Sequence, residues 1–430
     1  MTDTMNISAS AYAPALLTLP WNTPLEDWDD NTVVKLPKGI SRHTVRFVQL
    51  NTEYGSTNAT RITNGSTTAI IAAVKEIGRH TAHHEYAMLR ELKRIGAPAV
   101  TPIAVITGRR DTSDDILTAA LVTEHLRFSL PYREIFTRDL PEETPEKLIK
   151  ALAILLVKLH LNNFYWGDVS LSNTLFRRDA DTFSAYLVDA ETGEFQPQLS
   201  QQRREYDVEI ARINIIGELM DLSSGGKLSP NIDPISLGNL IQSTYEDLWH
   251  ELTAEEMIKM DENWKLQNRL DKLAEMGFDV GELSLSSGGE NTVTVRPVIV
   301  DPGHHHKQVF NLLGLDVEEQ QARRILNEIQ QYEQQHPDHT TEQAARMWFN
   351  EEYLPTISAI PAELTEKLEP AQIFHEILDH RYYLSQERAS YIPMEEAAQS
   401  YFHKVLPEHR DEAIILLKDE KTTPTVEGQS

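Results

Sequence analysis

The chain has 430 residues, 40% of them hydrophobic and 25% charged, an ordinary globular composition that leaves room for two or three domains of roughly 100–200 residues. Its 66 acidic and 40 basic residues give a formal charge of −26. Such a surface repels nucleic acid and anionic lipid and sets those partner classes aside. The absence of cysteine excludes disulfides, thiolate zinc sites and cysteine nucleophiles, and suits a reducing compartment.

The stretch Met1 to Pro20 lacks the basic start and compact apolar core of a signal peptide. The most apolar run, Ala151 to His160, is too short and too charged to cross ~30 Å of hydrocarbon. A cytoplasmic protein without a membrane span is therefore expected.

Residues 1–40 show no sustained period and are expected to form a mostly irregular arm. From Thr44 to Leu50 apolar and polar side chains alternate as in a strand. Asn51 to Ser66 is rich in turn-forming Gly, Asn, Ser and Thr. Thr68 to Ile77 reads as a buried strand with Lys75 near its end. A helix is expected over His80 to Arg94, where Glu85, Leu89 and Leu92 share one face at i, i+4 and i+7. Glu85 should therefore point towards the sheet and Glu91 into solvent. Gly96-Ala97-Pro98 ends the helix.

Two more strands are expected at Val100 to Ile106 and Ile116 to Thr123, with Glu124-His125-Leu126 connecting them to a second lobe. A helix over Pro145 to Asn163 then delivers the chain to Trp166-Gly167-Asp168-Val169-Ser170-Leu171-Ser172-Asn173. Arg177 to Thr182 reads as a turn, followed by a strand ending on Asp189. Tyr206 to Leu222 is a further amphipathic helix, expected to turn Ile210, Ile213, Gly217 and Met220 inward.

The stretch Ser223 to Pro230 has linker composition. Beyond it the spacing predicts helices over Ile235 to Glu251 and Glu255 to Gly277, a strand pair around Ser287-Gly288-Gly289, and a strand over Thr292 to Val300. Helices follow at Asp316 to Gln335, with a stripe of Ala322, Ile325, Leu326 and Ile329, and at roughly 341–352, 370–385 and 394–405. The tail after about Asp419 is expected to be disordered. His304-His305-His306 offers three metal-capable rings, but on an extended chain neighbours point oppositely, so a shared metal is not expected. Trp348, Phe349, Tyr353, Tyr382 and Tyr383 are expected in the core.

Taken singly these features are weak: a strand lysine is ordinarily an edge residue, and an aspartate at a strand end a turn cap. Their order carries more. A strand lysine, a helix glutamate, a loop with Asp168 and Asn173, and a strand ending at Asp189 form the pattern that handles Mg·ATP in phosphoryl transfer. Asp168 would be the catalytic base, and Asn173 and Asp189 would hold Mg²⁺, which takes few carboxylates plus water and phosphate oxygens. Lys75, held by Glu85, would meet the ATP phosphates, and Glu124 and Leu126 would line the nucleotide site.

The pieces Val74-Lys75-Glu76, His84-Glu85-Tyr86, Leu89-Arg90-Glu91-Leu92 and Trp166 through Asn173, with Asp189, resemble the lipopolysaccharide-core (Kdo/heptose) kinase branch of the protein-kinase-like fold. Gly277-Phe278-Asp279, Val300-Asp301-Pro302-Gly303-His304, Gly314-Leu315-Asp316 and His380 through Ser385 resemble a bacterial domain of unknown function found fused to such kinases. The resemblance implies a phosphotransferase acting on a hydroxyl of a non-protein acceptor, in the class of a sugar or glycolipid precursor. Three departures matter. Trp166-Gly167 stands where protein kinases have His-Arg, Asp189-Ala190-Glu191 replaces Asp-Phe-Gly, and residues 51–66 hold no G-x-G-x-x-G, leaving Gly55 and Gly65 to cover phosphates. Glu191 reads as a solvated residue or an extra metal ligand.

The expected fold class is α+β, a two-lobed protein-kinase-like domain at 41–225 after the arm 1–40, then a mostly helical domain at 231–418 and a tail at 419–430. The expected partners are a nucleotide, an unidentified hydroxyl acceptor and a protein met through the C-terminal domain. The rival reading is a pseudokinase, a nucleotide-binding regulatory or scaffold protein, which the degenerate glycine loop and the Asp-Ala-Glu triplet favour.

Overall fold

The computed structural model describes residues 4–36, 42–52, 68–138, 140–259, 262–275, 278–289 and 292–413. Gly55, Gly65, Gly277 and the tail expected after Asp419 lie outside the described residues.

The first lobe is a five-stranded antiparallel sheet. Its elements are β1 (Asn6–Ala9), α1 (Ala13–Leu16), β2 (Val45–Thr52), β3 (Thr68–Ile77), α2 (Arg79–Arg94), β4 (Pro102–Thr107) and β5 (Ala119–Glu124), with strand order β1-β4-β5-β3-β2. The long apolar run in β3 suits a central strand flanked on both sides, and Lys75 pairs with Val45 and Leu121 across its neighbours. α2 buries Ala82, Glu85, Leu89 and Leu92, the face the periodicity predicts.

The segment expected as an irregular arm is instead built into this lobe. β1 pairs with β4, and Leu16, Trp21, Leu25 and Trp28 pack with Val48, Ile70, Val74 and Ile106 in one core. The fully buried Arg109 fixes it, donating to the carbonyls of Trp21 (3.0 Å) and Thr23 (2.6 Å) and to Glu76 Oε1 (2.7 Å). Short strands and loops held by such long-range bonds have no period to read.

The second lobe begins with β6 (Ser129–Pro131), α3 (Tyr132–Phe136), α4 (Thr144–Leu161) and β7 (Phe164–Tyr165). The hairpin β8 (Thr174–Asp179) and β9 (Thr182–Leu187) follows, then β10 (Glu194–Phe195), α5 (Gln201–Ser224) and α6 (Pro234–Thr253). α4 is buried on most of its surface, and α5 and α6 pack with it in one large core. Thus α6, which lies beyond the linker-like stretch 223–230, shares the core of this lobe. α5 presents Val208, Ala211, Ile215, Leu219 and Leu222 inward, while Ile213 and Met220 are exposed. The expected inward face was therefore wrong, because α5 carries apolar residues all round and its buried face also takes Asp207.

The C-terminal region starts with β11 (Glu256–Lys259), α7 (Asn263–Glu275), β12 (Phe278–Gly289) and β13 (Thr292–Pro302), so the helix expected over Glu255 to Gly277 begins as a strand. The three strands form an antiparallel sheet in the order β11-β13-β12. Helices complete it: α8 (His304–Leu313), α9 (Glu319–Gln335), α10 (Thr341–Trp348), α11 (Leu354–Ser358), α12 (Pro370–Arg388) and α13 (Met394–Lys404). Trp348 and Tyr353 are core residues as expected, whereas Tyr382 and Tyr383 are exposed. His304, His305 and His306 open α8 rather than an extended stretch, and His305 Nδ1 lies 2.7 Å from Glu319 Oε1. The molecule is thus an α+β protein, a two-lobed kinase-like region followed by a mostly helical one. No helix among the described residues is long and apolar enough to cross a membrane.

Candidate active site

A cleft of about 1130 Å³ lies between the lobes, lined by β3, α2, the 124–126 connection, the 168–174 loop and the chain after β9. Lys75, Glu85, Glu124, Leu126, Asp168, Asn173 and Asp189, the residues singled out from the sequence, all line it.

Lys75 projects from β3 and stands between two carboxylates. Its Nζ lies 2.7 Å from Glu85 Oε2 and 2.9 Å from Asp189 Oδ2. Burial pulls the Lys75 ammonium down, but Glu85 and Asp189 outweigh that, and its pKa is raised overall. Glu85 is pushed up to about 7 by burial and by the Asp189 charge, against the opposing pull of Lys75. Glu191 is half-buried and not solvated, with His43 Nε2 3.0 Å from its Oε2. Oxygens of Glu85, Asp189 and Glu191 all lie within 4.8 Å of one another. Lys75 serves Glu85 and Asp189 while Arg42 and His43 face Glu191, and the clustered carboxyl oxygens could hold a cation.

The loop bearing Asp168 and Asn173 is held from below by α5. The buried Asp207 carboxylate accepts the Trp166 and Gly167 amides at 2.8 and 2.7 Å, and Glu218 accepts those of Leu171 and Ser172 at 2.8 and 3.0 Å. Trp166 Nε1 donates to the Asp189 carbonyl at 2.9 Å, tying the loop to the chain after β9. Gly167 has φ 81°, and a Cβ there would lie 3.0 Å from the Tyr165 ring, so this position favours glycine.

Asn173 Nδ2 donates to Asp168 Oδ2 and to the Asp168 carbonyl, both at 3.0 Å. With Nδ2 committed to Asp168, the amide oxygen of Asn173 could serve a cation. Asp168 is partly exposed, and Arg42 reaches to 3.7 Å from its Oδ2 and 3.6 Å from Glu191 Oε1. Asp189 Oδ1 accepts the Glu191 amide at 3.0 Å. Carboxylate and amide oxygens without thiolate or imidazole form a donor set that fits Mg²⁺.

At the other end of the cleft, the Glu124 and His125 amides donate to the carbonyls of Thr101 (2.8 Å) and Ile71 (2.9 Å). These bonds fix the connection between the lobes. His125 is held down at about 4 by burial and the Arg127 charge, and its ring is neutral at pH 7.

Sequence reasoning missed Asp207, Glu218, Arg42 and His43. Asp207 and Glu218 fall on one helix, yet nothing in local spacing says that a helical carboxylate caps a distant loop. Arg42 and His43 sit before β2 with no periodic signal.

Residues 38–213 match the family described as "Lipopolysaccharide kinase (Kdo/WaaP) family". Residues 247–406 match "Domain of unknown function (DUF4032)". No curated protein matches the chain. A solved structure titled "WaaP in complex with acyl carrier protein" is 16% identical, with 63% of this chain and 99% of that one covered and a TM-score of 0.35.

Proposed function

We propose, from the premise that residues 38–213 belong to the lipopolysaccharide kinase (Kdo/WaaP) family and are followed by a DUF4032 region, that the protein transfers phosphate from ATP to a hydroxyl of a sugar or glycolipid precursor. One observation carries this reading: Lys75 is held by Glu85 and Asp189 in the same cleft as Asp168 and Asn173.

In this reading Asp168 orients the acceptor hydroxyl and takes its proton. Lys75, braced by Glu85, meets the phosphates as a point charge, and Glu124 and Leu126 line the nucleotide's base end. Asn173 through its amide oxygen and Asp189 through its carboxylate hold Mg²⁺, with Glu191 close by. When bound, that ion supplies charge neutralisation for the phosphates. Asp207 and Glu218 keep the loop in shape so that Asp168 meets the acceptor with little reorganisation. We place the activity in the cytoplasm, in a kinase-like unit at 41–225 and a second unit at 231–418 bridged by α6, the second unit offering a surface for a protein partner.

A second reading, a pseudokinase, is favoured by the contact of Arg42 with Asp168 and Glu191, which places a cation across the position of the acceptor. Calorimetric titration with ATP, with and without Mg²⁺, tests the site, with Asp189→Ala beside the wild type. Mg²⁺-dependent binding that the variant loses is the expected result. Absence of ATP binding under both conditions would overturn the kinase reading, and binding without turnover would favour the pseudokinase.

A further inference from the structure

Asp207 holds the backbone just before Asp168, and two further side chains hold Asp207. Its Oδ2 accepts the Trp166 amide at 2.8 Å and its Oδ1 the Gly167 amide at 2.7 Å, while His160 Nε2 lies 3.1 Å from Oδ2. The other ring nitrogen of His160, Nδ1, lies 2.7 Å from the Tyr245 hydroxyl. His160 belongs to α4, and Tyr245 to α6, the helix beyond the linker-like stretch. We propose that Tyr245 is a positioning residue for phosphoryl transfer, acting on Asp168 through His160 and Asp207, an inference that rests on the kinase reading.

The hydrogens along this chain are placed by the partners. A carboxylate offers only lone pairs, so His160 Nε2 carries a hydrogen towards Asp207. Burial, with the Arg204 charge, lowers the His160 pKa more than Asp207 raises it, and the ring is neutral at pH 7. A neutral imidazole has one N–H, so Nδ1 is bare and accepts the hydroxyl hydrogen of Tyr245. Burial raises the Tyr245 pKa and the neighbouring Arg204 guanidinium opposes it. That guanidinium is itself a donor, so the hydroxyl hydrogen is left for His160. Tyr245 thereby selects the tautomer that suits Asp207. Without the hydroxyl the ring hydrogen can sit on Nδ1, and a bare Nε2 then faces the Asp207 carboxylate, lone pair against lone pair.

The surroundings hold the chain in place. The side chains of His160 and Asp207 are fully buried, and Tyr245 is buried with them. Tyr245 stacks on Trp249 at 5.8 Å, and His160 meets those two rings edge-on at 5.4 and 6.4 Å. Phenylalanine would keep the stacking, so the hydroxyl alone ties α6 to the loop. Gly167 immediately precedes Asp168, and a shift of its amide passes directly to that carboxylate. A misplacement of about 1 Å at a reacting group can cost about 100-fold in rate.

The test compares full-length wild type, Tyr245→Phe and Leu248→Ala. Leu248 is a core residue on the same helix, and its truncation weakens packing without removing a hydrogen bond. The measurements are hydrogen exchange by mass spectrometry over residues 164–173, urea denaturation, and kcat and KM for ATP per folded molecule. Tyr245→Phe should speed exchange of that segment about tenfold or more and lower kcat about ten- to a hundred-fold with KM for ATP unchanged. Leu248→Ala should lose at least as much stability and keep its kcat. Unchanged exchange and kcat in Tyr245→Phe, or a fall in kcat no larger than that of Leu248→Ala, would overturn the proposal and leave Tyr245 as a packing residue. A wild type that turns over no ATP would overturn the kinase reading instead, and exchange over 164–173 would still decide whether Tyr245 orders the loop.

Discussion

Two charge clusters occupy opposite ends of the hairpin β8–β9, and they are built to different ends. At its base, Asn173 and Asp189 flank the two strands, and Lys75 is shared by Glu85 and Asp189 on the wall of a large cleft. Towards its tip, Arg177 pairs with Glu318 at 2.9 Å and with Glu369, while Arg178 meets both oxygens of Glu412 at 3.0 Å. Asp179 accepts the Gln320 and Gln321 amides at 2.8 and 2.9 Å. The tip cluster is closed, its charges spent on joining the kinase-like unit to the C-terminal region. The base cluster, with a like balance of carboxyls to cations, faces a cavity and leaves its polar groups open to a ligand. Buried charges become a binding site only where the protein leaves part of their demand unmet.

If that contrast is right, the largest single effect is catalytic and belongs to the base. Asp168→Asn keeps the shape of the loop and its bond to Asn173 but removes the carboxylate that we propose takes the proton. Turnover of ATP should fall by about 10²–10⁴-fold with little change in ATP affinity. Equal loss of affinity and turnover would mean that Asp168 binds rather than reacts. The counterpart at the tip is Arg177→Met, which leaves Glu318 and Glu369 facing each other unpaired. Breaking a buried pair in this way costs about 3–5 kcal/mol, to be read from urea denaturation, while ATP affinity in the remaining folded protein stays the same. A variant as stable as wild type would show that the tip cluster does not hold the two regions together.

The clusters can also be told apart by pH. Burial raises Glu85 at the base, with Asp189 adding to it, and raises Asp179 and Glu369 at the tip, each to about 7. These groups hold protons in the folded state that the unfolded chain has already released. Their contribution to stability is therefore greatest below their ordinary carboxylate range and falls as pH rises towards about 7, then levels. Glu85→Gln should flatten one part of that fall and Asp179→Asn another, with the two effects adding because the sites share no partner. A stability profile from pH 4.5 to 8 that neither variant alters would remove this difference in charge demand.

Much of the base cluster was legible in the sequence. Lys75 stood out because a lysine near the end of a largely apolar run such as Thr68 to Ile77 has to be accommodated, and Glu85 because helical spacing placed it on the buried face with Leu89 and Leu92. Asp168, Asn173 and Asp189 followed from order along the chain. The tip cluster was not legible, since Arg177 and Glu369 lie far apart in sequence and meet only through the packing of two regions. The N-terminal segment failed for a related reason, its order coming from Arg109 and from sheet pairing rather than any local pattern. α5 failed because apolar residues on nearly every face made its phase ambiguous, and the polar Asp207 and Glu218 that decide its role carry no hydrophobic signal.

The smallest effect isolates how the loop at the base is held. Gly167 adopts φ 81° immediately before Asp168, and a Cβ would also lie 3.3 Å from the Thr192 carbonyl oxygen. Gly167→Ala meets both obstacles, the left-handed backbone at about 1–2 kcal/mol and the close contact with Tyr165. Gly167→Asn tolerates the left-handed backbone but not the contact. If the backbone dominates, urea denaturation should find asparagine clearly less damaging than alanine, and turnover should fall less than it does in Asp168→Asn. If the contact dominates, the two variants should be equally unstable, because Tyr165 and Thr192 meet the same Cβ in each. In either case turnover should fall further than stability alone predicts, since the strain lies next to Asp168, the proposed proton acceptor. Full turnover in the folded fraction of both variants would show a loop able to absorb a side chain without moving Asp168. The amides held by Asp207 and Glu218 would then be support for the fold rather than for the chemistry.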